Sequence, residues 1–472
     1  MASIKDSLPT DWTQTSPSTY ERSMDSMDFF YHAMAGAGQG RPEKDHWLFT
    51  AAIRIDTDRP GLVDDVKAAW IALRYKFPGF SSVIKDGRWI YRVADKAELA
   101  SWLEESFHVH DTEKTTRQLY PFETNAIKRG VLRVLPRTQE IVLQCPHAHM
   151  DGIGSLIFFN NLLNYLVAPL PAAEPAFGTE GANLVPPSSI TTRVQPCTSG
   201  QKDAWDAIFH NFLASFPTVR LNTENKGAPA GRTTNVWLTF DPADTGRIVA
   251  RARELGVTVT SVLQAAVSLS ARQHGQVSNK THATMAIYNA RPYIDSTEFP
   301  HERLVNCNTF GMPAVYPLVP ESFVETAKKA GEVLQSFKKG GLLVAATPLF
   351  ATGMVAALSA PVPENMPVAA DLQLSSLGVV DKHMRSLYRH EGPQARADVA
   401  VRDFWLSLDL LGPGVAAEAW TFNEKLSIEL VYNEAYHQEE SMVSLLRFIH
   451  EQLTKGLNLD LKFDAREPGN EE

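Results

Sequence analysis

Cysteine is scarce in this sequence, and its scarcity excludes two common ways of stabilising a fold. Only Cys145, Cys197 and Cys307 occur among the 472 residues. Their unrelated spacings contain no C-x-x-C pair, so the sequence predicts neither a disulfide framework nor a structural zinc site. We therefore expect a protein of a reducing compartment with no metal site.

Positive charge is also in short supply. The sequence has 45 lysines and arginines against 54 aspartates and glutamates, a net charge of −9. That balance leaves no broad basic surface, which argues against nucleic acid and an anionic membrane as main partners. Residues 1–6 lack the apolar segment of a signal peptide. We expect a cytoplasmic protein, and a monomer.

Long uncharged runs are rare, and one of them needs an interpretation. Residues 342–363 carry no charge and are about as long as a membrane-spanning helix. Pro348, Pro361 and Pro363 interrupt the run, and the aromatic belt that flanks membrane helices is missing. We interpret the run as a buried helix or as the wall of a tunnel, and expect no membrane insertion.

The length and the course of the chain predict two domains. A chain of 472 residues is about two to three times a typical domain. Residues 169–196 are rich in Pro, Ala, Gly, Ser and Thr without a hydrophobic period, which is typical of a linker. We place one domain at residues 1–195 and the other at residues 196–472. Predicted strands and helices mix in both halves, beginning with a helix at residues 20–35, and indicate a mixed α/β fold.

One segment has the residues for acid–base chemistry. His147, Asp151 and Gly152 lie between a predicted strand that ends at Cys145 and a predicted helix after Gly154. Histidine has the pKa nearest neutral pH, so it can take a proton from a hydroxyl and return it to a leaving group. Asp151 would orient the ring or fix the turn, and Gly152 would keep the space beside the imidazole open.

Two other interpretations of this segment remain. His147 could be an ordinary core histidine, as lone histidines usually are. His149 could be the base instead, because it points to the opposite face if the strand continues through the motif.

The segment His147-x-x-x-Asp151-Gly152 resembles the H-x-x-x-D-G signature of the acyltransferases with the chloramphenicol acetyltransferase fold, which include the condensation domains of nonribosomal peptide synthetases. Two segments of the second half resemble the same family in order and spacing. They are residues 255–266, and Asn289-Ala290-Arg291-Pro292 followed by residues 306–309. Residues 403–436 resemble fungal stand-alone members, notably trichothecene 15-O-acetyltransferases.

The sequence also departs from two branches of this family. Condensation domains usually carry a second histidine directly before the catalytic one, where this chain has Pro146. The plant-type enzymes carry Asp-Phe-Gly-Trp-Gly where residues 403–407 read Asp-Phe-Trp-Leu-Ser. Peptide condensation and plant-type acylation are both disfavoured.

The resemblance implies a two-domain fold, with a mixed β-sheet flanked by helices in each half and an active-site tunnel between the halves. It implies an ion pair of Asp151 with Arg291 beneath the catalytic turn; Arg291 could otherwise be a surface residue before a proline turn. Ser375 and Ser376 fall where the family places small polar residues near the thioester. Either hydroxyl could donate to the oxyanion of the tetrahedral intermediate, or simply end a strand.

The function that the resemblance implies is O-acylation. His147 would act as general base while a hydroxyl of a secondary metabolite, such as a trichothecene-like sesquiterpenoid, attacks acetyl-CoA, a co-substrate and not a bound cofactor. No G-x-S-x-G elbow marks a serine nucleophile, so we expect direct transfer. The alternatives are a carrier-protein donor, a cyclisation reaction, or a catalytically silent binding protein.

Overall fold

The computed structural model describes residues 11–38, 40–122, 125–168, 176–224, 227–359, 371–389 and 398–467. Its α-helices are α1 Ser26–Ala35, α2 Leu62–Lys76, α3 Lys96–Ser106, α4 Thr116–Leu119, α5 Gly152–Val167, α6 Ser188–Thr191, α7 Ser199–Ala214, α8 Pro242–Glu254, α9 Val259–His274, α10 Phe323–Ser336, α11 Leu342–Ser359 and α12 Glu439–Leu457. Its β-strands are β1 Thr13–Ser16, β2 Thr19–Ser23, β3 Leu48–Asp56, β4 Val83–Lys85, β5 Arg88–Arg92, β6 Phe107–Val109, β7 Val131–Leu135, β8 Glu140–Cys145, β9 Thr233–Thr239, β10 Thr281–Asn289, β11 Thr309–Pro317, β12 Leu372–Val379, β13 Leu387–Tyr388, β14 Val399–Asp409, β15 Val415–Phe422, β16 Lys425–Asn433 and β17 Ala465–Arg466.

The first large sheet has six strands in the order β13-β14-β3-β8-β7-β6. Strand β3 lies near its middle and pairs antiparallel with both β14 and β8, whereas β6 and β7 are parallel. Strand β8 is buried along its whole length, which explains why Ile141, Val142 and Leu143 follow one another without polar alternation. Helices α2 and α5 pack against this sheet and bury Trp70, Leu73 and Phe158 in its core.

The second large sheet has the order β12-β15-β16-β9-β17. Helices α8, α9 and α12 supply Ile248, Val262 and Leu445 to the core on one of its faces. Strand β15 places Ala417 and Ala419 in that core, but Trp420 lies in the core of the first sheet. The second sheet therefore faces its own helices on one side and the first half of the molecule on the other.

The two halves of the chain interlock. Strands β13 and β14, from the second half, complete the sheet of the first half. Two smaller sheets, β1-β2-β5-β4 and β10-β11, complete the architecture. The predicted fold class, two mixed sheets flanked by helices, is confirmed.

The predicted helix at residues 20–35 is wrong in its first part. Thr19–Ser23 is a strand that pairs with β5, and the helix begins only at Ser26. A capping box fixes this start, since the Asp25 carboxylate accepts from the Asp28 N–H at 2.9 Å and the Asp28 carboxylate accepts from the Asp25 N–H at 2.9 Å. Strand pairing outweighs helix propensity before the cap.

The predicted linker is in part a packed segment. Residues 169–175 lie outside the described ranges, and residues 176–196 include α6. Glu180 is fully buried and accepts hydrogen bonds from the Tyr91 hydroxyl at 2.8 Å and from the Ala94 N–H at 2.7 Å. These contacts attach the described part of the linker to the first half, and the boundary at residue 195 stays a prediction.

The long uncharged run forms helix α11 as far as Ser359, and residues 360–363 lie outside the described ranges. Its Phe350 is buried and packs against Phe30 of α1, with ring centroids 5.4 Å apart. Within the described chain, the helical stretch Lys339–Ala357 is long and apolar enough to cross a membrane. The bent pair α8 and α9 is also long and apolar enough if the two helices are counted as one span. Core helices can be equally long and apolar.

Candidate active site

The turn between β8 and α5 carries His147. Strand β8 ends at Cys145, and the N–H of His149 closes the turn on the Pro146 carbonyl at 2.9 Å. Helix α5 then begins at Gly152, capped by the Asp151 carboxylate, which accepts from the Gly154 N–H at 2.7 Å. A strand and a helix, both buried, thus hold this turn at its two ends.

One hydrogen bond sets the tautomer of His147. Its Nδ1 lies 2.9 Å from the Met150 carbonyl oxygen. A carbonyl only accepts, so Nδ1 carries the proton and Nε2 keeps its lone pair. The imidazole is thereby prepared to take a proton at Nε2.

The pKa of His147 lies below its ordinary value of 6.5. Burial is the main cause, because it disfavours the charged imidazolium, and the hydrogen bond to Met150 and the nearby Asp151 carboxylate oppose it. The ring is therefore neutral, and able to act as a base, at neutral pH.

Aromatic side chains enclose the imidazole. The Tyr31 ring lies 4.4 Å from it between centroids, at an angle of 36°, and Phe49 lies at 5.6 Å. The Tyr31 hydroxyl is fixed by Thr309 at 2.9 Å. Sequence reasoning missed Tyr31, because nothing in the apolar face of α1 distinguishes it from an ordinary core residue.

Asp151 and Arg291 form a buried ion pair. The Arg291 Nη1 lies 3.0 Å from each carboxylate oxygen of Asp151, and the exposed fractions of the two side chains are 3% and 6%. The remaining guanidinium N–H groups donate to the carbonyls of Leu304 and Asn306. The Asn308 N–H donates to Asp151 at 2.6 Å. Arg291 is thus not a surface residue, and the pair joins the catalytic turn to the second half.

The glycine of the motif and a second glycine have different neighbours. Gly152 lines the cavity described below, and a Cβ there would lie 2.7 Å from the end of the Leu377 side chain. A Cβ on Gly154 would lie 2.1 Å from the Val305 carbonyl oxygen, a backbone atom. Gly154, which the sequence did not single out, is therefore the position where the backbones approach too closely for any side chain.

His149 points away from His147. It is 4% exposed, its Nε2 donates to the Ser82 carbonyl at 2.9 Å, and its ring stands edge-on to Trp89 at 4.6 Å. It does not line the cavity that His147 faces. Its contacts are those of a core histidine, which weakens it as a rival base.

His147 faces a cavity of about 630 Å³, a suitable volume for a small organic molecule. Both halves of the chain line it: Tyr31, Trp47, Phe49 and Gly152 from the first, and Arg291, Leu377, Leu408, Leu410 and Glu418 from the second. The described residues of α11 are not among its lining, so the prediction that this run forms the tunnel wall is wrong. The reason is that α1 lies between α11 and the cavity, since Phe350 of α11 packs against Phe30 of α1.

A second cavity, of about 700 Å³, adjoins the first. The two share Met285, Ile287, Tyr288, Asn289, Leu374 and Ser376. Lys328, Lys338 and Lys339 line only the second. The cavity that contains His147 and a cavity lined by three lysines therefore meet at one wall.

The two predicted serines occupy different places. Ser376 lines both cavities, and its hydroxyl lies 3.4 Å from that of Thr260. Ser375 lines only the cavity of His147 and pairs across the strands with Glu418. Neither serine ends β12, which continues to Val379.

Among the described residues, no group of three or more histidines, cysteines or acids is placed to hold a metal ion.

Comparison with known proteins finds relatives along almost the whole chain. No family model matches the sequence. The O-acetyltransferase pigM of Monascus ruber is 25% identical over 95% of this chain and 88% of its own length. The acetyltransferase pigO of the same organism is 23% identical over 92% of this chain and 95% of its own length.

Solved structures match more closely in shape than in sequence. Trichothecene 15-O-acetyltransferase from Fusarium sporotrichioides superposes with a TM-score of 0.78 at 14% identity, over 94% of this chain and 97% of that one. The epimerization domain of tyrocidine synthetase B gives 0.58 at 13%, over 97% and 99%. The resemblance is therefore confirmed, and the chain has the fold of the chloramphenicol acetyltransferase and condensation-domain superfamily.

Proposed function

We propose that this chain is an O-acetyltransferase of fungal secondary metabolism, which transfers acetyl from acetyl-CoA to a hydroxyl of an apolar acceptor with His147 as general base. The observation that carries the proposal is the free Nε2 of a neutral imidazole beside an apolar cavity between the two halves. The names of the relatives support it, since two curated fungal proteins of similar length are acetyltransferases.

The transfer needs no covalent enzyme intermediate. Nε2 of His147 takes the hydroxyl proton as the acceptor oxygen attacks the thioester carbonyl. The tetrahedral intermediate then collapses, the carbon–sulfur bond breaks, and protonated His147 gives its proton to the departing thiolate. The products are an ester and free CoA, and the imidazole returns to its starting state.

Ser376 is our candidate for the oxyanion contact. Its position in the wall that both cavities share favours it over Ser375, because the thioester carbon must meet the acceptor where the two sites join. A hydroxyl that donates to a developing oxyanion contributes about 3 kcal/mol in acyl transfer.

The two cavities suit two different substrates. The three lysines of the second cavity would neutralise phosphate groups of CoA, which the net charge of the whole chain would otherwise repel. Leu406, Leu408, Leu410 and Val415 give the first cavity an apolar wall that suits a terpenoid or polyketide skeleton. We propose that the cavities form one path, with the reaction at their junction.

The experiment is a screen of the purified protein against acetyl-CoA and a panel of sesquiterpenoid alcohols that includes trichothecene-type alcohols. The readout is free thiol, with the ester identified by mass spectrometry. Release of thiol that requires both an alcohol and acetyl-CoA, without any carrier protein, is the expected result. Transfer only from an acyl carrier protein would favour the condensation-type alternative. No transfer from either donor would favour a binding protein.

A further inference from the structure

Three acids line the cavity in front of His147: Asp151, which pairs with Arg291, Asp371 and Glu418. Glu418 is the one that interrupts the apolar wall formed by the leucines of β14. Glu418 lies in the middle of β15, in direct register with Ser375 on β12 and with Glu429 on β16. It is 2% exposed and lines the cavity. Its neighbours on that wall include Leu408, Leu410 and Ala416. An acid in such a place is costly unless it has a partner.

The neighbouring acid, Glu429, has a cationic partner. Arg117 donates to Glu429 at 2.7 Å, and Asn235 donates to the other carboxylate oxygen at 2.7 Å. The guanidinium of Arg117 lies over Trp237 and Trp405, at 4.0 and 4.9 Å from the ring centroids. Within the described ranges no ion pair joins Glu418 to a cation, so its carboxyl has hydrogen-bonding capacity to offer a ligand.

Glu418 is uncharged for most of the time at neutral pH. Burial, with a further contribution from the charge of Glu429, raises its pKa to about 8, against a hydrogen bond from Ser375 that lowers it. Tyr120 interacts with Glu418 electrostatically. The other titratable groups that line the cavity are Tyr31, His46, His147, Asp151, Tyr288, Arg291, Asp371, Lys382 and His383. A protonated carboxyl donates one hydrogen bond, which an ionised one cannot do.

We propose that Glu418 is a specificity-determining residue that donates a hydrogen bond to a carbonyl oxygen of the acceptor, away from the hydroxyl that His147 activates. This inference rests on the proposed function, because it assigns the cavity to the acceptor. A buried donor selects for its partner, since a ligand without the carbonyl leaves the carboxyl desolvated and unpaired. The acceptor class is thus an apolar hydroxy ketone.

Binding is the direct test, because it does not depend on turnover. The probes are a decalin hydroxy ketone, the same alcohol without the carbonyl, and the same alcohol with an amine in its place. Binding is followed by the change in tryptophan fluorescence, to which Trp47 in the cavity wall contributes. We expect the hydroxy ketone to bind about tenfold tighter than the simple alcohol, the worth of one buried hydrogen bond. Glu418→Leu should abolish that preference, and Glu418→Gln, which still donates, should keep it.

The pH dependence separates a donor from a merely structural side chain. In the natural protein the preference should hold below pH 8 and disappear above it, as the carboxyl with a pKa of about 8 ionises. Glu418→Gln should keep the ketone preference above pH 8, because an amide does not ionise. This result tests the proposal even if Glu418→Leu does not fold. Glu424→Gln, an exposed acid at the turn between β15 and β16, is the matched control and should behave as the natural protein.

Three results would overturn the proposal: equal binding of ketone and simple alcohol, a preference for the amine, or a ketone preference that survives in Glu418→Leu. None of these three binding results would contradict the proposed function, which fails only if no alcohol releases thiol from acetyl-CoA.

Discussion

At the scale of single residues, the chemistry depends on which nitrogen of His147 is free. The Met150 carbonyl holds the proton on Nδ1, and burial holds the pKa below 6.5. The hydrogen bond determines that Nε2 is the free nitrogen of the neutral ring, and burial keeps the ring neutral although that same hydrogen bond favours the imidazolium. The motif alone predicts a histidine, but only the folded turn determines its tautomer.

The acid limb of the pH profile should report this pKa. The base works when neutral, so for an alcohol without a carbonyl kcat/KM should be constant from pH 6.5 to 8 and fall only as the pH drops through the lowered pKa of His147. Initial rates of thiol release between pH 4 and 8 test it, with enzyme stability checked at each pH. A midpoint above 6.5 would contradict the account of the buried, neutral ring.

The Asp151–Arg291 pair should stabilise the turn without touching substrate. Asp151→Asn and Arg291→Met should each lower the free energy of unfolding by about 3–5 kcal/mol, because each leaves a buried charge unpaired. The double variant should lose less than the sum. Arg193→Met, which breaks an exposed pair with Glu298, should change little. Denaturant unfolding measures all four, and strict additivity would exclude the coupling.

At the scale of elements, the close approach of α5 to the segment at Val305 sets the catalytic turn. Gly154→Ala would place a methyl group against the Val305 carbonyl. We expect a loss of about 1–3 kcal/mol in stability, and reduced activity, since this segment also holds Arg291 through the Leu304 carbonyl.

Gly246→Ala is the control for this substitution. Gly246 lies within α8 and has open space where a Cβ would be, so alanine should raise stability by about 0.5–1 kcal/mol. Thermal melts of both variants measure these changes in stability. Equal stability of Gly154→Ala and the natural protein would contradict the close approach.

Elements with a strong local signal could be predicted, and those that depend on distant pairing could not. The strand, turn and helix around His147 follow from an apolar run, a capping aspartate and helical spacing. Residues 20–23 join a sheet instead of α1 because β5 pairs with them, a contact that sequence periodicity does not contain. Glu418 is a lone acid in a predicted apolar strand, which is a weak signal in the sequence. Its role can be inferred only from the fold, which places Ser375 and Glu429 beside it.

At the scale of the whole molecule, the two halves are joined by shared strands and by the buried ion pairs Asp151–Arg291 and Arg117–Glu429. Strand β14 pairs with β3, so residues from both sides of the predicted boundary at residue 195 build the first sheet. Arg117 of the first half meets Glu429 of the second at 2.7 Å. The cavity of His147 exists only where these surfaces meet.

Removal of Arg117 should weaken this contact between the halves. Arg117→Met leaves Glu429 buried without its cation, which should cost about 3–5 kcal/mol of stability. Addition of Glu429→Gln should recover part of that loss. Arg402→Met, which breaks an exposed pair with Asp56, should cost less than about 1 kcal/mol. Equilibrium unfolding measures the four proteins, and no recovery in the double variant would contradict the pairing.

The central claim is that one imidazole, in the wall of a cavity that adjoins a second one, carries acyl transfer. The most direct measurement compares initial rates of thiol release from acetyl-CoA by the natural protein, His147→Ala and His149→Ala with one accepted alcohol, each shown to be folded by circular dichroism. We predict that His147→Ala loses a factor of about 10² to 10⁴ in kcat, the usual worth of a general base. His149→Ala should keep most of its rate at a temperature where it is folded. Full activity of His147→Ala together with inactivity of folded His149→Ala would contradict the account.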